Sequence, residues 1–554
     1  MKNELNGFVD WPEDFKQKYK QLGFWSGEFL GDMIAQSVIN CPEKIAIIDG
    51  SRAISYQQLN QKSNQLALGF KSIGLVMDDV VVLQSQNQIE FFEVLFAFFK
   101  IGVKPILALP AHRYFEIDVF CKISQAKMYL AIGKEQSNQY AQIGNKIKQN
   151  YNDKLIVCLS DEHLIVNDFI QLNSLYHDDS YQKDMTNLNA EKIALFQLSG
   201  GTTGMPKLIA RTHNDYHYSV RASNEICGIT QSTVYLSVLP VMHNFSLSSP
   251  GALGVLYAGG TIVLSSPTIA NQAFELIEKY KVTISALVPP LLLTWLQQLK
   301  SDSKLDYSLE SLEVLQVGGA KLSKNVATEV NKIFGCQLQQ VFGMAEGLVN
   351  YTRLYDSEDI VNSTQGRPIS EADEVIVVDD NDQPLEFGQR GHLLVRGPYT
   401  IRGYYKNEVH NKTAFTNDGF YRTGDIVTQN HNGYITVEDR SKDQINRGGE
   451  KISAEEIENH LINNIQIFDA AVVAMPDEFL GERSCAFLIM DTSYEYVSDF
   501  ILKKTLLQYL RSIGIADYKI PDRFEILDAF PKTKFGKVNK VALREMINKK
   551  INLI

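Results

Sequence analysis

The sequence predicts a large α/β protein with a small α+β domain at its C-terminus. Up to about residue 373, short β-branched runs that predict strands alternate with helix-length segments. After residue 373 the pattern changes to strand-like runs joined by turn residues, and residues 439–449 are rich in charged residues and glycine. Strands separated by helices are typical of largely parallel sheets that helices cover. The 554 residues exceed the roughly 250–300 at which one core stops growing, so more than one domain is expected.

The predicted parallel strands are short apolar runs. In chain order they are VVVLQS (80–85), KPILALP, LIVCLS, IALFQLS, TVYLSVLP, TIVLSS, ISALVP and VLQVGG. From residue 373, EVIVVDDNDQPLEFGQRGHLLVRG predicts antiparallel strands, because Asn, Asp and Gly favour the turns between them. After residue 449, AEEIENHLINN predicts a helix, and AAVVAMPD and CAFLIM predict strands. We therefore expect an N-terminal domain over 1–441 and a C-terminal domain over 442–554.

Composition argues against several classes of protein. The formal net charge of -11 disfavours a nucleic-acid partner, which normally requires a basic patch. The polar N-terminus lacks the apolar core of a signal peptide. Lys100 and Lys104 interrupt one of the two most apolar stretches, and Pro289 and Pro290 interrupt the other, so both are interpreted as buried core. The six cysteines form no CxxC pair. We expect a cytoplasmic protein with no membrane partner.

The clearest chemical motif is LSGGTTGMPK at 198–207, directly after the predicted strand IALFQL. Its glycines permit close backbone approach, and hydroxyls, N–H groups and a lysine can surround phosphate oxygens. A P-loop is excluded because Leu208, not Ser or Thr, follows the lysine. A glycine-rich surface turn is the alternative. The predicted phosphate-binding residues are Ser199, Gly200, Gly201, Thr202, Thr203, Gly204 and Lys207.

This motif resembles the phosphate loop of the adenylate-forming superfamily, which includes acyl-CoA synthetases, peptide-synthetase adenylation domains and luciferases. Further blocks match in the same order: QVFGMAE at 340–346, YRTGD at 421–425, DRSKD at 439–443 with GGEK at 448–451, and PKTKFGK at 531–537. The resemblance implies a multi-sheet N-terminal domain, a mobile C-terminal lid, and ATP and Mg²⁺ as cofactors. It implies that an acid is converted to an acyl-adenylate, from which a thiol displaces AMP.

The resemblance also assigns roles within the N-terminal domain. Asp425 would accept hydrogen bonds from the ribose hydroxyls, with a turn-capping aspartate as the alternative. Arg440 would lie near ribose and phosphate, or else form a surface ion pair. Glu346 would hold Mg²⁺ on ATP, or else begin a helix. The other expected ATP and AMP contacts are Gly318, Gly319, Ala320, Val341, Phe342, Gly343, Met344 and Ala345.

Lysines of the lid complete the implied machinery. Lys537 would supply an ammonium to the charge that develops when the carboxylate attacks the α-phosphorus. A solvent-facing lysine is the alternative. Lys442 would contact the nucleotide and be the hinge between two lid poses, with a simple linker as the alternative. Lys451 and Gly449 would approach the acyl site in the second pose.

Residues 240–251, PVMHNFSLSSPG, resemble the pocket segment of stand-alone aryl-acid ligases of siderophore biosynthesis. ALPAHR at 108–113 and GLVNYTR at 347–353 resemble stretches typical of those enzymes. The resemblance implies 2,3-dihydroxybenzoate as the acid and an aryl carrier protein with a phosphopantetheine arm as the thiol partner. Amino-acid-activating relatives have an aspartate where this chain has Asn244, whose amide suits a neutral hydroxyl. Local turn bonding is the alternative for Asn244 and Ser249. The expected acid pocket contains catalytic His243 with Asn244, Phe245, Ser249, Gly319 and Val349.

Alternatives remain within and outside this class. Salicylate-AMP ligases and aryl-CoA ligases have similar sequences. Salicylate-selective relatives tend to have cysteine where this chain has Ser249 and a bulkier residue at Val349, so both positions favour the catechol. A non-catalytic acyl-adenylate-binding protein could keep the fold, but Lys537 and Glu346 favour an enzyme.

Overall fold

The computed structural model describes residues 7–134, 136–151, 154–161, 166, 168–177, 189–199, 206–265, 269–301, 307–440, 444–490, 498–532 and 538–551. The strands are β1 (Ile45–Asp49), β2 (Arg52–Ser55), β3 (Val80–Ser85), β4 (Lys104–Ala108), β5 (Met128–Ile132), β6 (Ile156–Leu159), β7 (Ile170–Gln171), β8 (Ile193–Ser199), β9 (Lys207–Thr212), β10 (Val234–Ser237), β11 (Thr261–Leu264), β12 (Ile284–Leu287), β13 (Val314–Gly318), β14 (Gln337–Gly343), β15 (Val349–Tyr351), β16 (Arg367–Pro368), β17 (Glu374–Val378), β18 (Gly391–Arg396), β19 (Tyr421–Gln429), β20 (Ile435–Arg440), β21 (Gln444–Arg447), β22 (Glu450–Ser453), β23 (Ile467–Asp477), β24 (Gly481–Met490) and β25 (Arg523–Ile526).

The α-helices are α1 (Glu13–Gln21), α2 (Ala35–Asn40), α3 (Tyr56–Ser72), α4 (Ile89–Ile101), α5 (Tyr114–Ser124), α6 (Ser137–Asn150), α7 (His213–Cys227), α8 (Asn244–Ser248), α9 (Gly251–Tyr257), α10 (Ala270–Tyr280), α11 (Pro289–Ser301), α12 (Lys324–Phe334), α13 (Glu358–Ser363), α14 (Glu408–Ala414), α15 (Ala454–Ile462), α16 (Asp499–Ile513) and α17 (Lys540–Ile551). Short 3₁₀ helices span Leu30–Asp32, Leu172–Leu175 and Asp517–Lys519.

Two large sheets form the body of the molecule. One has nine strands in the order β16-β15-β14-β13-β12-β10-β11-β1-β2, and the other has seven in the order β7-β6-β5-β3-β4-β8-β9. Neighbouring strands are parallel except towards the edges, where β2, β9, β15 and β16 run antiparallel to their neighbours. The predicted strands VVVLQS and IALFQLS coincide with β3 and β8. The predicted α/β class is confirmed.

The apolar run that contains Lys100 is helix α4, which contacts β1 of one large sheet and β4 of the other. Every residue of α4 except Glu90 is buried. The buried Lys100 ammonium donates hydrogen bonds to the side-chain oxygens of Asn60 (2.8 Å) and Asn64 (2.6 Å), which replace the water it has lost. Among the described residues, no helix combines the length and apolarity needed to cross a bilayer.

Two smaller sheets follow. Strands β17, β18, β19 and β20 form the antiparallel sheet predicted after residue 373, and this sheet carries Asp425 on β19. Strands β21 to β25 form a five-stranded sheet beyond residue 443, with α15 beside β23. Apolar side chains of this sheet and of α15, including Ile452, Ile457 and Phe524, form a separate core. Residues 441–443 lie outside the described residues, so the boundary between 1–441 and 442–554 stays a prediction.

Among the described residues, the C-terminal domain contacts the body at α5 and beside the end of β13. At α5, the Phe115 N–H donates to the Gly514 carbonyl at 3.2 Å, and the Phe115 ring lies 4.6 Å from the His460 ring. At the hairpin formed by β21 and β22, the Asn446 side-chain amide donates to the Gly319 carbonyl at 2.8 Å. The hairpin therefore closes a cleft at the end of β13.

Candidate functional site

A cavity of about 390 Å³ lies where the carboxyl ends of β4, β8, β13 and β14 meet the C-terminal domain. Ligands of open α/β sheets bind outside the carboxyl ends of the strands, and pockets of this size suit a small molecule. The β21–β22 hairpin contributes Asn446, Gly449, Glu450 and Lys451 to the cavity wall. The cavity is thus built by both domains.

Most of the site residues that the sequence predicted line this one cavity. They are Ser199, His243, Asn244, Phe245, Ser249, Gly319, Ala320, Val341, Phe342, Gly343, Met344, Ala345, Glu346 and Asp425. The first and the last of them, Ser199 and Asp425, lie more than 200 residues apart in the sequence.

Some predicted residues lie elsewhere. Gly318 ends β13 directly before the lining residue Gly319. Val349 lies on β15 and pairs with the lining residue Gly343 of β14, so it belongs to the strand next to the one that lines the cavity. The buried Lys207 has its ammonium 2.9 Å from Nε2 of His410 and 5.2 Å from the centre of the Tyr404 ring.

For other predicted residues the structure gives less. The backbone of Arg440 pairs with Asp425 between β20 and β19. Outside the described residues lie Gly200, Gly201, Thr202, Thr203, Gly204, Lys442 and Lys537.

Glu346 is buried at the cavity wall. The Tyr404 hydroxyl donates to Glu346 Oε1 at 2.7 Å, and the Tyr404 oxygen lies 2.9 Å from the Tyr421 oxygen. Burial by itself would raise the pKa of Glu346, but the Lys451 ammonium and the Tyr404 hydrogen bond outweigh it and hold the pKa below its usual value. The carboxylate is therefore ionised, and an ionised oxygen ligand suits Mg²⁺.

Arg211 fixes the backbone beside Glu346. It donates from Nη1 to the Ala345 carbonyl at 2.9 Å and from Nε to Asp215 Oδ1 at 2.6 Å. Both charged side chains are buried, so each compensates for the water that the other has lost. Sequence reasoning missed Arg211, although a charge inside the apolar strand KLIART was the available signal. It also missed Tyr404, because a tyrosine in a core is ordinary.

A chain of hydrogen bonds orients Asn244. The Gln197 side-chain amide donates to the Tyr216 hydroxyl at 3.0 Å, which donates to Asn244 Oδ1 at 2.9 Å. The Ser248 hydroxyl lies 3.1 Å from the same oxygen and 3.1 Å from the Asn244 backbone carbonyl, and its one hydrogen is shared between them. Because the Asn244 amide oxygen accepts the Tyr216 hydroxyl, the Asn244 NH₂ group is directed to donate to a ligand. Asn244 is thus a directed donor. Sequence reasoning missed Gln197 and Tyr216.

His243 is a neutral side chain in the same wall. It begins α8, where the Phe245 N–H donates to His243 Nδ1 at 3.3 Å. Burial, and then the Lys451 ammonium, lower the pKa of His243 to about 4. With Nδ1 accepting, the imidazole hydrogen is on Nε2, so His243 can donate a hydrogen bond but carries no charge near neutral pH.

Glycines allow the β21–β22 hairpin to enter the cleft. Gly448 and Gly449 have φ of 62° and 98°, in the left-handed region that favours glycine. A Cβ on Gly449 would lie 2.9 Å from Val288 Cγ1, too close for any other residue without movement. The sequence predicted that Gly449 and Lys451 approach the acyl site in one lid pose, and in this structure both line the cavity.

The sequence matches known families over both domains. Residues 34–405 match the AMP-binding enzyme family, and residues 456–537 match the AMP-binding enzyme C-terminal domain. The chain is 48% identical to a 2,3-dihydroxybenzoate-AMP ligase of Bacillus subtilis (strain 168), with 99% of each chain covered. It is 49% identical to a vibriobactin-specific 2,3-dihydroxybenzoate-AMP ligase of Vibrio cholerae, with 97% of each covered. It is 44% identical to enterobactin synthase component E of Escherichia coli (strain K12), with 98% of each covered.

Solved structures support the fold. The apo structure of MbtA from Mycobacterium smegmatis has a TM-score of 0.74 at 35% identity, covering 98% of this chain and 99% of that chain. The amide bond synthetase McbA from Marinactinospora thermotolerans has a TM-score of 0.80 at 21% identity, covering 94% and 99%. At that identity the second likeness concerns the fold alone.

Replacing Lys451 with methionine should raise the pKa of His243 above about 4. Loss of the ammonium removes its repulsion of the imidazolium, while burial still holds the pKa below the ordinary value near 6.5. Histidine-selective NMR titration measures this pKa. The matched control is Lys321→Met, another lysine of the cavity wall, which should leave the titration unchanged. A His243 pKa that does not move in Lys451→Met would contradict the position of the ammonium.

Proposed function

Because the chain belongs to the AMP-binding enzyme family, we propose that it activates 2,3-dihydroxybenzoate with ATP and transfers the acyl group to a carrier thiol. Enzymes of this family use ATP, generally with Mg²⁺. The observation that carries the proposal is that the Asn244 donor, the Glu346 carboxylate and Asp425 face a single cavity. An aromatic acid and a nucleotide can therefore meet there.

The proposed reaction has two balanced steps. In the first, a carboxylate oxygen of the acid attacks the α-phosphorus of ATP, a new P–O bond forms, and the bond to pyrophosphate breaks. In the second, a thiol loses its proton, its sulfur attacks the acyl carbon, and AMP leaves with the C–O bond electrons. Bound Mg²⁺ would be held by Glu346 and phosphate oxygens and would neutralise phosphate charge.

The remaining nucleotide contacts follow from the family motifs. Asp425 would accept the ribose hydroxyls, and Arg440 and Lys207 would contact phosphate. The glycine-rich loop at 199–204 would surround phosphate oxygens with its N–H groups. Lys537 would approach the α-phosphate and Lys442 would be the hinge, as the sequence motifs predict.

Recognition of the acid would depend on neutral hydrogen bonds. The NH₂ group of Asn244 would donate to the oxygen of one catechol hydroxyl, and Ser249 would bond the other. Phe245 and Val341 would pack on the ring, while Val349 would support the wall through Gly343. A site that bonds a hydroxyl disfavours an analogue without it, because a buried polar group is left unpaired. Salicylate and benzoate should therefore react less well.

The thiol partner would be the phosphopantetheine arm of an aryl carrier protein. The names of similar proteins from Vibrio cholerae and Escherichia coli refer to vibriobactin and enterobactin synthesis. Siderophore assembly is the setting that these similarities support. The β21–β22 hairpin at the cavity is consistent with the lid pose expected for thiol attack.

The proposal predicts acid-dependent exchange of pyrophosphate into ATP. A panel of 2,3-dihydroxybenzoate, salicylate, benzoate, a fatty acid and an amino acid should give the highest kcat/KM with the first. Removal of Mg²⁺ with a chelator should abolish exchange. Highest activity with salicylate would assign the chain to salicylate activation, and no exchange with any acid would contradict adenylation.

Lys537→Ala should lower adenylation by about 10²–10³-fold, because the ammonium that stabilises the developing charge is lost. Thioester formation from supplied aryl-adenylate should stay close to wild type. Lys532→Ala, which removes another lysine of the same segment, is the matched control. Equal loss of both steps in Lys537→Ala would argue for a structural role.

Tyr216→Phe should raise the KM for the acid by about fivefold to tenfold, because one hydrogen bond that orients Asn244 is removed. The KM for MgATP should not change. Tyr218→Phe is the matched control: its hydroxyl lies on the same helix but bonds Ser370 at 2.7 Å. An equal effect of the two substitutions would refute the orienting role.

A further inference from the structure

Three charged side chains are buried together where α5 meets the C-terminal domain. The Lys519 ammonium lies 3.0 Å from Glu116 Oε1 and 2.7 Å from Glu456 Oε1. Their exposed fractions are 4% for Lys519, 0% for Glu116 and 3% for Glu456. We call this group the buried triad. Of the three, Lys519 and Glu456 also line the cavity.

The triad joins the two domains. Glu116 belongs to α5 of the body, whereas Lys519 and Glu456 belong to the C-terminal domain. Glu116 also accepts a hydrogen bond from the Ala516 N–H at 3.1 Å and from the Arg113 N–H at 2.9 Å. The Glu116 carboxylate thus bonds both its own helix and the opposite domain.

The charges in the triad depend on one another. Burial opposes ionisation of all three groups. The two carboxylates nevertheless raise the pKa of Lys519, and the ammonium outweighs burial to lower the pKa of Glu116. Burial raises the pKa of Glu456, and the nearby Glu116 charge adds to this effect. Separating Lys519 from Glu116 would therefore leave a carboxylate without its cation.

A short, rigid chain segment connects the triad to the β21–β22 hairpin. Strand β22 runs directly into α15, so Glu456 lies only five residues after Lys451. The Ser453 hydroxyl accepts the Glu456 N–H at 3.3 Å and fixes the start of α15. An interaction that fixes Glu456 relative to the body therefore also fixes the end of the hairpin.

We propose that Lys519 is a positioning residue for thioester formation, because its bridge between Glu116 and Glu456 holds Gly449 and Lys451 in the cavity. This inference rests on the proposed function. The bond between Lys519 and Glu456 lies within one domain and moves with it. The bond to Glu116 crosses the interface and exists only when the hairpin occupies the cleft.

The same interface supplies a matched control. Arg113 lies 2.8 Å from Asp517, and this pair joins the same two segments as the buried triad. The Asp517 side chain is 58% exposed, and exposed ion pairs contribute little because water and salt screen them. A specific role for the triad predicts different behaviour of these two pairs.

The test separates the two steps in Glu116→Gln, which keeps the shape of the side chain. Pyrophosphate exchange with 2,3-dihydroxybenzoate should stay at the wild-type rate. Thioester formation from supplied 2,3-dihydroxybenzoyl-AMP and pantetheine should fall by about tenfold, the effect of removing the negative charge of one partner from a buried ion pair. Arg113→Ala should leave both rates unchanged. Equal loss of both steps in Glu116→Gln, or no selective loss, would overturn the proposal.

A double variant with the two charges interchanged distinguishes loss of the ion pair from misfolding. Glu116→Lys and Lys519→Glu should each slow thioester formation, and the double variant should recover part of the rate because it restores a pair of opposite charges across the interface. If the double variant does not recover thioester formation while its pyrophosphate exchange stays normal, the proposed bridge is contradicted. Hydrogen–deuterium exchange in α5 should rise in Glu116→Gln and not in Arg113→Ala. Absence of exchange activity in the wild type would instead contradict the proposed function.

Discussion

A carboxylate that loses water stays ionised only where cations or hydrogen-bond donors replace that water, and the cavity depends on this constraint at Glu346. Tyr404 supplies a donor from the body, and Lys451 supplies a cation from the C-terminal domain. The ionisation of Glu346 is therefore coupled to the position of the lid. In the proposed function, a metal ion bound with phosphates would compensate for the same charge that Lys451 compensates here.

Buried hydrogen bonds hold parts of the cavity wall in place in the body. Arg211 and Asp215 compensate each other and hold the Ala345 carbonyl. Such buried hydrogen bonds favour one geometry, because a rearrangement that breaks them leaves polar groups unpaired. The wall that carries Glu346 is therefore pre-organised before any ligand binds, which lowers the cost of reaching a reactive arrangement.

The sequence predicted the architecture well because strand patterns are local. The runs VVVLQS and IALFQLS became β3 and β8, and most of the site residues predicted from the sequence line the cavity. It could not predict partners that are distant in the chain: Gln197 with Tyr216 and Asn244, or Glu116 with Lys519, which lie 403 positions apart. These pairings arise only when helices and sheets pack. Val349 shows the same limit, since a motif identifies a segment but not the strand that faces the cavity.

The neutral hydrogen bonds around Asn244 and the charged groups around Glu346 come from different parts of the molecule. Gln197, Tyr216 and Asn244 belong to β8, α7 and α8, so the orientation of the Asn244 donor is fixed by the body alone. The cation that acts on Glu346 comes from the hairpin of the C-terminal domain. In the proposed function, selection of the acid would therefore not depend on the hairpin, whereas the charge balance of the cavity would. Neutral bonds suit selection because they need no counter-ion, and charged groups suit a reacting centre because they stabilise the charge that develops there.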